Sequence, residues 1–257
     1  MKKIRIGKKE YSKIICGTNA FYGHSHFSNA RNKEYIERFS DDYIKRILKL
    51  CIDRGMNSFE SPANERIYCI IKEIKKESEI NFIGTTRIDE TSTMRSHQIK
   101  LKYLIENKAD ICVIHSQYVD RPKTNGEIKG LQSMIDEIHK AGLLAGISTH
   151  RCSTIKHCEK RYNLDVYMFP MNMLGFVYPE YEGNETVKER IDLIKSVNKQ
   201  FIIMKALAAG RIPPSDGLKY VLDNIKENDI ITLGLGSIEE ANESIDIVNS
   251  ILFENHE

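Results

Sequence analysis

The strongest constraint on this chain is a repeated pattern. Eight short apolar runs rich in Ile and Val alternate with longer amphipathic stretches. The runs cover 14–21, 56–61, 81–88, 110–118, 143–149, 165–172, 201–209 and 230–236. They are continuously apolar rather than alternating, as expected of strands buried on both faces of a parallel sheet. Between them, residues 41–54 place Tyr43, Ile44, Ile47, Leu48, Cys51 and Ile52 on one helical face, and residues 65–76 do the same with Ile67, Ile70, Ile71 and Ile74. The pattern predicts further helices over 97–107, 129–141, 154–162, 185–197, 215–227 and 238–253. Ser40 and Asn184 stand where N-caps belong, and Gly55 and Gly142 where a helix ends. Eight strand–helix pairs within 257 residues define an α/β fold, a single (β/α)8 TIM barrel spanning residues 1–257. Residues 4–11 read as a short β-hairpin ahead of the first barrel strand.

Three connections are long: 22–40, 119–128 and 177–183. Long loops on a compact domain tend to carry function. Residues 27–39 mix charge with aromatics (Phe27, Arg31, Lys33, Tyr35, Arg38, Phe39), which suits a lid, a partner surface or a solvated face.

Composition removes several function classes. The chain carries 38 Lys and Arg against 36 Asp and Glu, without the concentrated basic excess of a nucleic-acid binder. Its apolar runs are too short to span a bilayer, and no apolar signal core follows Met1-Lys2-Lys3. A cytoplasmic protein acting on a small molecule is expected. The six cysteines include no CxxC pair, which suits a reducing compartment, with Cys152–Cys158 as the one pairing to consider. No coiled-coil heptad points to an oligomeric state.

In a (β/α)8 barrel the active site lies at the C-terminal ends of the strands. The polar residues expected there are Tyr22, His24, His26, Glu60, Arg87, His115, Ser148, His150, Asn172, Lys205, Gly210, Arg211, Gly236 and Ser237. The other histidines (His97, His139, His157, His256) fall on helices or the tail and are expected to be solvated. His115 follows the buried run Ile111-Cys112-Val113-Ile114, so it needs partners, either structural ones or a ligand at the mouth. The turn 234–237 before the last helix suits an anion, as does a charge from Lys205 or Arg211. A lysine on a barrel strand also forms a Schiff base when burial lowers its pKa.

Several segments together resemble the aldo/keto reductase superfamily. IICGTNAF is similar to its first strand, GMNSFES to its G-[IV]-N-x-[FI]-D-T segment, and DICVIH to its D-[LI]-x-x-[IL]-H segment. GISTHR, MKALAAG and GLGSIEEANESI resemble its later strands and its final cofactor-binding turn. The resemblance implies NADP- or NAD-dependent carbonyl reduction. It also implies a catalytic Asp, Tyr, Lys and His. Here His115 fills the His position, Glu60 the Asp position and Arg87 the Lys position; the Tyr position holds Glu65, with Tyr68 the nearest tyrosine. The tetrad is therefore degenerate.

Three readings follow. In a divergent reductase, Tyr22 or Tyr118 supplies the missing acid beside Arg87, Glu60 and His115, and Ser148, Asn172, Lys205, Gly210, Arg211, Gly236 and Ser237 hold the cofactor. In a metal-dependent hydrolase, lyase or isomerase, His24, His26 and His150, with His115 and Glu60, bind a divalent metal such as zinc. In a binding protein, the barrel has lost catalysis.

Overall fold

The computed structural model describes residues 1–89, 91–121, 126–178 and 181–254. Parts of the expected connections 119–128 and 177–183, together with His256, lie outside the described residues. The eight runs form a closed parallel barrel: β3 (Ile14–Gly17), β4 (Ser58–Pro62), β5 (Asn81–Thr85), β6 (Ile111–Ile114), β7 (Leu144–Ser148), β8 (Val166–Pro170), β9 (Gln200–Met204) and β10 (Ile230–Gly234). Closure comes from the pairing of β10 with β3, Ile231 opposite Ile14 through Gly234 opposite Gly17. Ahead of the barrel, β1 (Lys3–Ile6) and β2 (Lys9–Ser12) form the expected antiparallel hairpin. Gly7 enters its two-residue turn at φ +59, a conformation that glycine adopts without a Cβ clash.

The continuous apolar character of the strands is explained by two cores. Ile15, Ile83, Ile111, Val113, Val166, Met168, Ile202 and Ile230 fill the barrel interior, and Ile4, Ile6 and Tyr11 of the hairpin pack against them. The hairpin thus closes the end of the barrel opposite the mouth. A second, larger core lies between the strands and the surrounding helices. Full burial of one Ile side chain contributes about 1.5–3 kcal/mol, so neither face of a strand tolerates a polar run.

The helices are α2 (Asp41–Asp53), α3 (Glu65–Ile74), α4 (Met94–Glu106), α6 (Leu131–Lys140), α7 (Cys152–Glu159), α8 (Val187–Ser196), α9 (Pro214–Asn224) and α10 (Ile238–Glu254), close to the ranges expected from spacing. Ser40 caps α2, accepting from the Tyr43 N–H. Gly55 and Gly142 follow helices at φ +84 and +76, as expected. For α8 the cap is Thr186, not Asn184: Thr186 and Glu189 form a reciprocal capping box.

The connection 22–40 is not a loop throughout. It contains α1 (Asn29–Arg38), capped by Ser28, whose hydroxyl accepts from the Arg31 N–H at 3.2 Å. Tyr35 and Phe39 bury their rings beside Phe21 and Tyr43. Alternating charge along this segment hides the periodicity, because only one narrow stripe is buried. The runs 14–21, 110–118 and 201–209 also overreach their strands. Their ends become a 3₁₀ turn at Asn19–Tyr22, a short helix α5 (Ser116–Val119) and the turn that begins at Lys205.

Candidate active site

A cavity of about 1020 Å³ opens at the C-terminal ends of the strands. Gly17, Glu60, Thr85, Arg87, His115, Ser148 and Thr232 come from successive strand ends. At Gly17 a Cβ would stand 2.8 Å from Thr232 Oγ1 and 3.4 Å from Glu60 Oε2, so the missing side chain leaves room for the carboxyl. One wall is α1, through Arg31, Asn32 and Tyr35; another is the turn after β9, with Lys205, Gly210 and Arg211; a third is α10, through Glu240, Glu243 and Ser244.

The electrostatics are unusual for a polar pocket. Glu60 is buried, and its carboxyl makes no hydrogen bond or ion pair among the described residues. Desolvation pushes it up to about 7, against the nearby Arg87 charge. Arg87 donates to Asn19 Oδ1 at 3.0 Å and pairs with the exposed Asp89 at 3.2 Å. His115 begins α5, where its Nδ1 accepts from the Gln117 N–H at 3.3 Å. The proton of the neutral ring therefore sits on Nε2. Burial, with Arg87 second, pushes this imidazole down to about 3. His150 is driven down to about 2 by burial and then by Lys205. Lys205 is itself lowered to about 8 by burial and Arg87. Near neutral pH the site thus holds a protonated or half-protonated carboxyl, neutral imidazoles, a partly free amine and the guanidinium cations of Arg31, Arg87 and Arg211.

Residues behind the surface hold this set in place. Thr86 Oγ1 accepts from the His115 N–H at 3.0 Å and lies 2.9 Å from His97 Nδ1; His97 Nε2 lies 2.7 Å from Ser92. His97 is therefore a fully buried strut, not the solvated residue expected from its place on a helix. His139 also has a partner, Asp165 at 2.9 Å. Asp120 accepts from the His150 N–H at 3.0 Å, from Thr154 at 2.9 Å and from Thr149. Sequence reasoning missed Asp120, the pairing of Thr86 with His97 and the wall residues Glu240 and Glu243; Arg31 and Tyr35 stood in the segment 27–39 that suited a lid, a partner surface or a solvated face, and they line a wall. Nothing in the sequence signals Asp120, because its partners lie 29–34 residues away.

Several expected site residues have other work. Tyr22 does not line the cavity; its hydroxyl shares a 2.6 Å hydrogen bond with Ser61. Tyr118 donates to the Lys129 carbonyl and packs against His97. Tyr68 is buried between Phe82 and Tyr103, with ring centroids 4.6 and 5.1 Å away. None of the three offers a proton to the pocket. Asn172 donates to the carbonyls of Phe176 and Lys205 and accepts from the N–H groups of Leu174 and Phe176, which exhausts its amide. The turn at Gly236 and Ser237 is already filled. The Gly236 N–H donates to Glu240 at 2.7 Å, its carbonyl accepts from Arg38 at 3.0 Å, and Ser237 Oγ accepts from the Glu240 N–H at 3.2 Å. S-x-x-E at 237–240 is a capping signature legible in the sequence. An anion meets a carboxylate there.

The metal reading fails on geometry. Among the described residues no three His, Cys, Asp or Glu side chains are arranged to hold a metal ion. His24 faces Asp89 at 4.0 Å, His150 lies 3.7 Å from Asp120, and Glu60 and His115 share the field of the Arg87 cation. All six cysteines are free thiols, including Cys152 and Cys158. No described helix is long and apolar enough to cross a membrane.

No family model matches the chain, and no curated protein matches it. Solved structures do. A candidate aldo-keto reductase from Pseudomonas aeruginosa aligns with a TM-score of 0.68 at 15% identity, covering 97% of this chain and 95% of its own. The holo form of an aldo-keto reductase from Bacillus halodurans gives 0.68 at 15%, covering 96% and 91%. A glycerol dehydrogenase from Gluconobacter oxydans gives 0.66 at 13%, covering 97% and 94%. The chain shares its barrel fold with these structures over nearly its full length.

Proposed function

We propose that this protein is an aldo/keto reductase-like oxidoreductase acting on a small carbonyl or alcohol at the barrel mouth, with Glu60 in place of the absent tyrosine as the acid. One observation carries the reading: a buried carboxyl, free of partners among the described residues, lines the cavity beside Arg87 and holds its proton to about 7. A group whose pKa lies near the operating pH is suited to general acid–base work. The near-complete structural overlap with reductases and a dehydrogenase supports the chemistry by analogy of fold. A cavity of about 1020 Å³ lies at the upper end of the range for small-molecule sites, which favours a cofactor together with a substrate.

A nicotinamide cofactor fits this cavity on one side. Ser148, Lys205, Gly210 and Arg211 line it, and nothing lies within 4 Å of a Cβ built at Gly210, so that backbone is open to close approach. Asn172 and the Gly236–Ser237 turn do not contribute, for the reasons above. The cofactor, when bound, supplies the hydride. The chain's own residues handle the rest. His115 presents its Nε2–H, and Glu60 its carboxyl proton, to the substrate oxygen. Arg87 attracts an anionic substituent and stabilises the Glu60 carboxylate left behind. The acidic wall of Glu240 and Glu243 disfavours a further phosphate, so NADH is expected to bind ahead of NADPH.

Titration of the purified protein with NADH and NADPH, followed by cofactor fluorescence, tests the reading. Saturable binding in the micromolar range, with NADH tighter, is the expected result. A folded protein that binds neither up to millimolar concentration overturns it.

A further inference from the structure

Two lysines enter the body of this molecule, Lys13 buried and Lys205 half-buried at the mouth, and they are treated differently. Lys13 donates to the carbonyls of Asp229 at 2.6 Å, Glu227 at 2.9 Å and Lys226 at 3.4 Å. Its ammonium is satisfied, as burial demands. Lys205 is half-buried and lines the mouth cavity, and its Nζ makes no hydrogen bond or ion pair among the described residues. The charge acting on it most strongly is that of Arg87, of the same sign. An amine at the cavity wall, with no partner among the described residues and a like charge acting on it, is open to a ligand that completes it.

The backbone holds this amine in place. Lys205 sits at φ +62, and Ala208 and Ala209 follow at +48 and +59. Three non-glycine residues in the left-handed region within five positions cost about 1 kcal/mol or more each. The surroundings enforce the turn: the Lys205 carbonyl accepts from Asn172 Nδ2 at 3.0 Å and from the Ala208 N–H at 2.9 Å. The strain is concentrated at the cavity, where the side chain enters it. Burial and Arg87 bring the amine to about 8, so part of it is unprotonated, and hence nucleophilic, near neutral pH. Arg87 and Arg211 line the same space and favour an anion, while Glu60 supplies a proton.

We infer that Lys205 is a carbonyl-capturing nucleophile, and that its ligand is a small oxo acid bound as an imine. Nζ attacks the carbonyl carbon, the new C–N bond forms, and the π pair moves to oxygen. Glu60 protonates that oxygen and takes a proton from nitrogen, which gives the carbinolamine. The nitrogen lone pair then expels the hydroxyl, which leaves as water with the Glu60 proton. The product is an iminium cation, with Glu60 as a carboxylate and Arg87 on the carboxylate of the acid. No oxidant or cofactor is consumed. The inference stands with or without nicotinamide binding, and the two experiments fail separately.

The test is reductive trapping. The full-length protein is incubated with pyruvate, and in parallel with glyoxylate, then treated with sodium borohydride and analysed by intact mass and peptide mapping. The expected result is one saturable adduct per chain, mapped to Lys205, and its loss in Lys205→Arg, which keeps the charge but forms no imine. Circular dichroism establishes that the variant is folded. If Lys205→Arg does not fold, the peptide map of the unmodified chain decides alone. Adducts confined to surface lysines, or none with either acid, overturn the inference.

Discussion

At the scale of the residue, the site turns on Glu60. Its position was legible from the segment GMNSFES, but its chemistry was not, because the upward shift comes from burial between strands distant in sequence. Glu60→Gln keeps the volume and removes the proton. The expected outcome is a loss of turnover of about 100-fold or more, the scale of a general acid, with KM little changed. The same variant has a stability signature. The unfolded chain releases this proton near 4.5 and the folded chain holds it to about 7, so stability falls as pH rises between those values. That penalty amounts to about 3 kcal/mol at pH 7, and Glu60→Gln removes it. Denaturant titration at pH 5 and pH 7.5 checks this: the variant gains stability over the parent at the higher pH only. An equal effect at both values would mean that Glu60 ionises normally.

At the scale of the element, eight strands and most helices follow from apolar spacing, because burial on both faces or along one stripe imposes that spacing. Two features escaped for physical reasons. Helix α1 exposes most of its surface, so its charges mask a stripe centred on Tyr35. The turn residues Asn172, Gly236 and Ser237 look like ligand contacts in sequence, and only three dimensions show that their hydrogen bonds are spent within the chain. Asn172→Ala is expected to lower stability by about 1–3 kcal/mol, because it leaves buried backbone groups unpaired, while cofactor affinity at saturating stability changes little. Thermal melts and ligand titration separate the two effects. Glu240→Gln weakens the negative charge at the Gly236 N–H. We expect the preference for NADH over NADPH to shrink in this variant, measured as the ratio of the two Kd values; an unchanged ratio would mean that the acidic wall of α10 does not set it.

At the scale of the whole molecule, the histidines determine how the fold responds to acid. His97 is held down to about 4, His115 to about 3 and His150 to about 2, in each case chiefly by burial. Their unfolded counterparts accept protons near 6.5, so the unfolded state binds more protons at every pH between these values. Stability contributed by the neutral rings is present above pH 6.5 and is lost as pH falls. Each ring gives a slope of about 1.4 kcal/mol per pH unit, so three give about 4. Glu60 opposes them with about 1.4 of the other sign, down to its unfolded value. The net loss from these four groups between pH 6.5 and pH 5 is about 3 kcal/mol, a large share of the 5–15 kcal/mol of a typical domain. Melting followed by circular dichroism is expected to show a Tm that drops steeply across this interval, and His97→Gln to lessen the slope by removing one ring. A flat profile would mean that these imidazoles are reached by protons without unfolding, and that the desolvation on which both Glu60 and Lys205 depend is easily lost in solution.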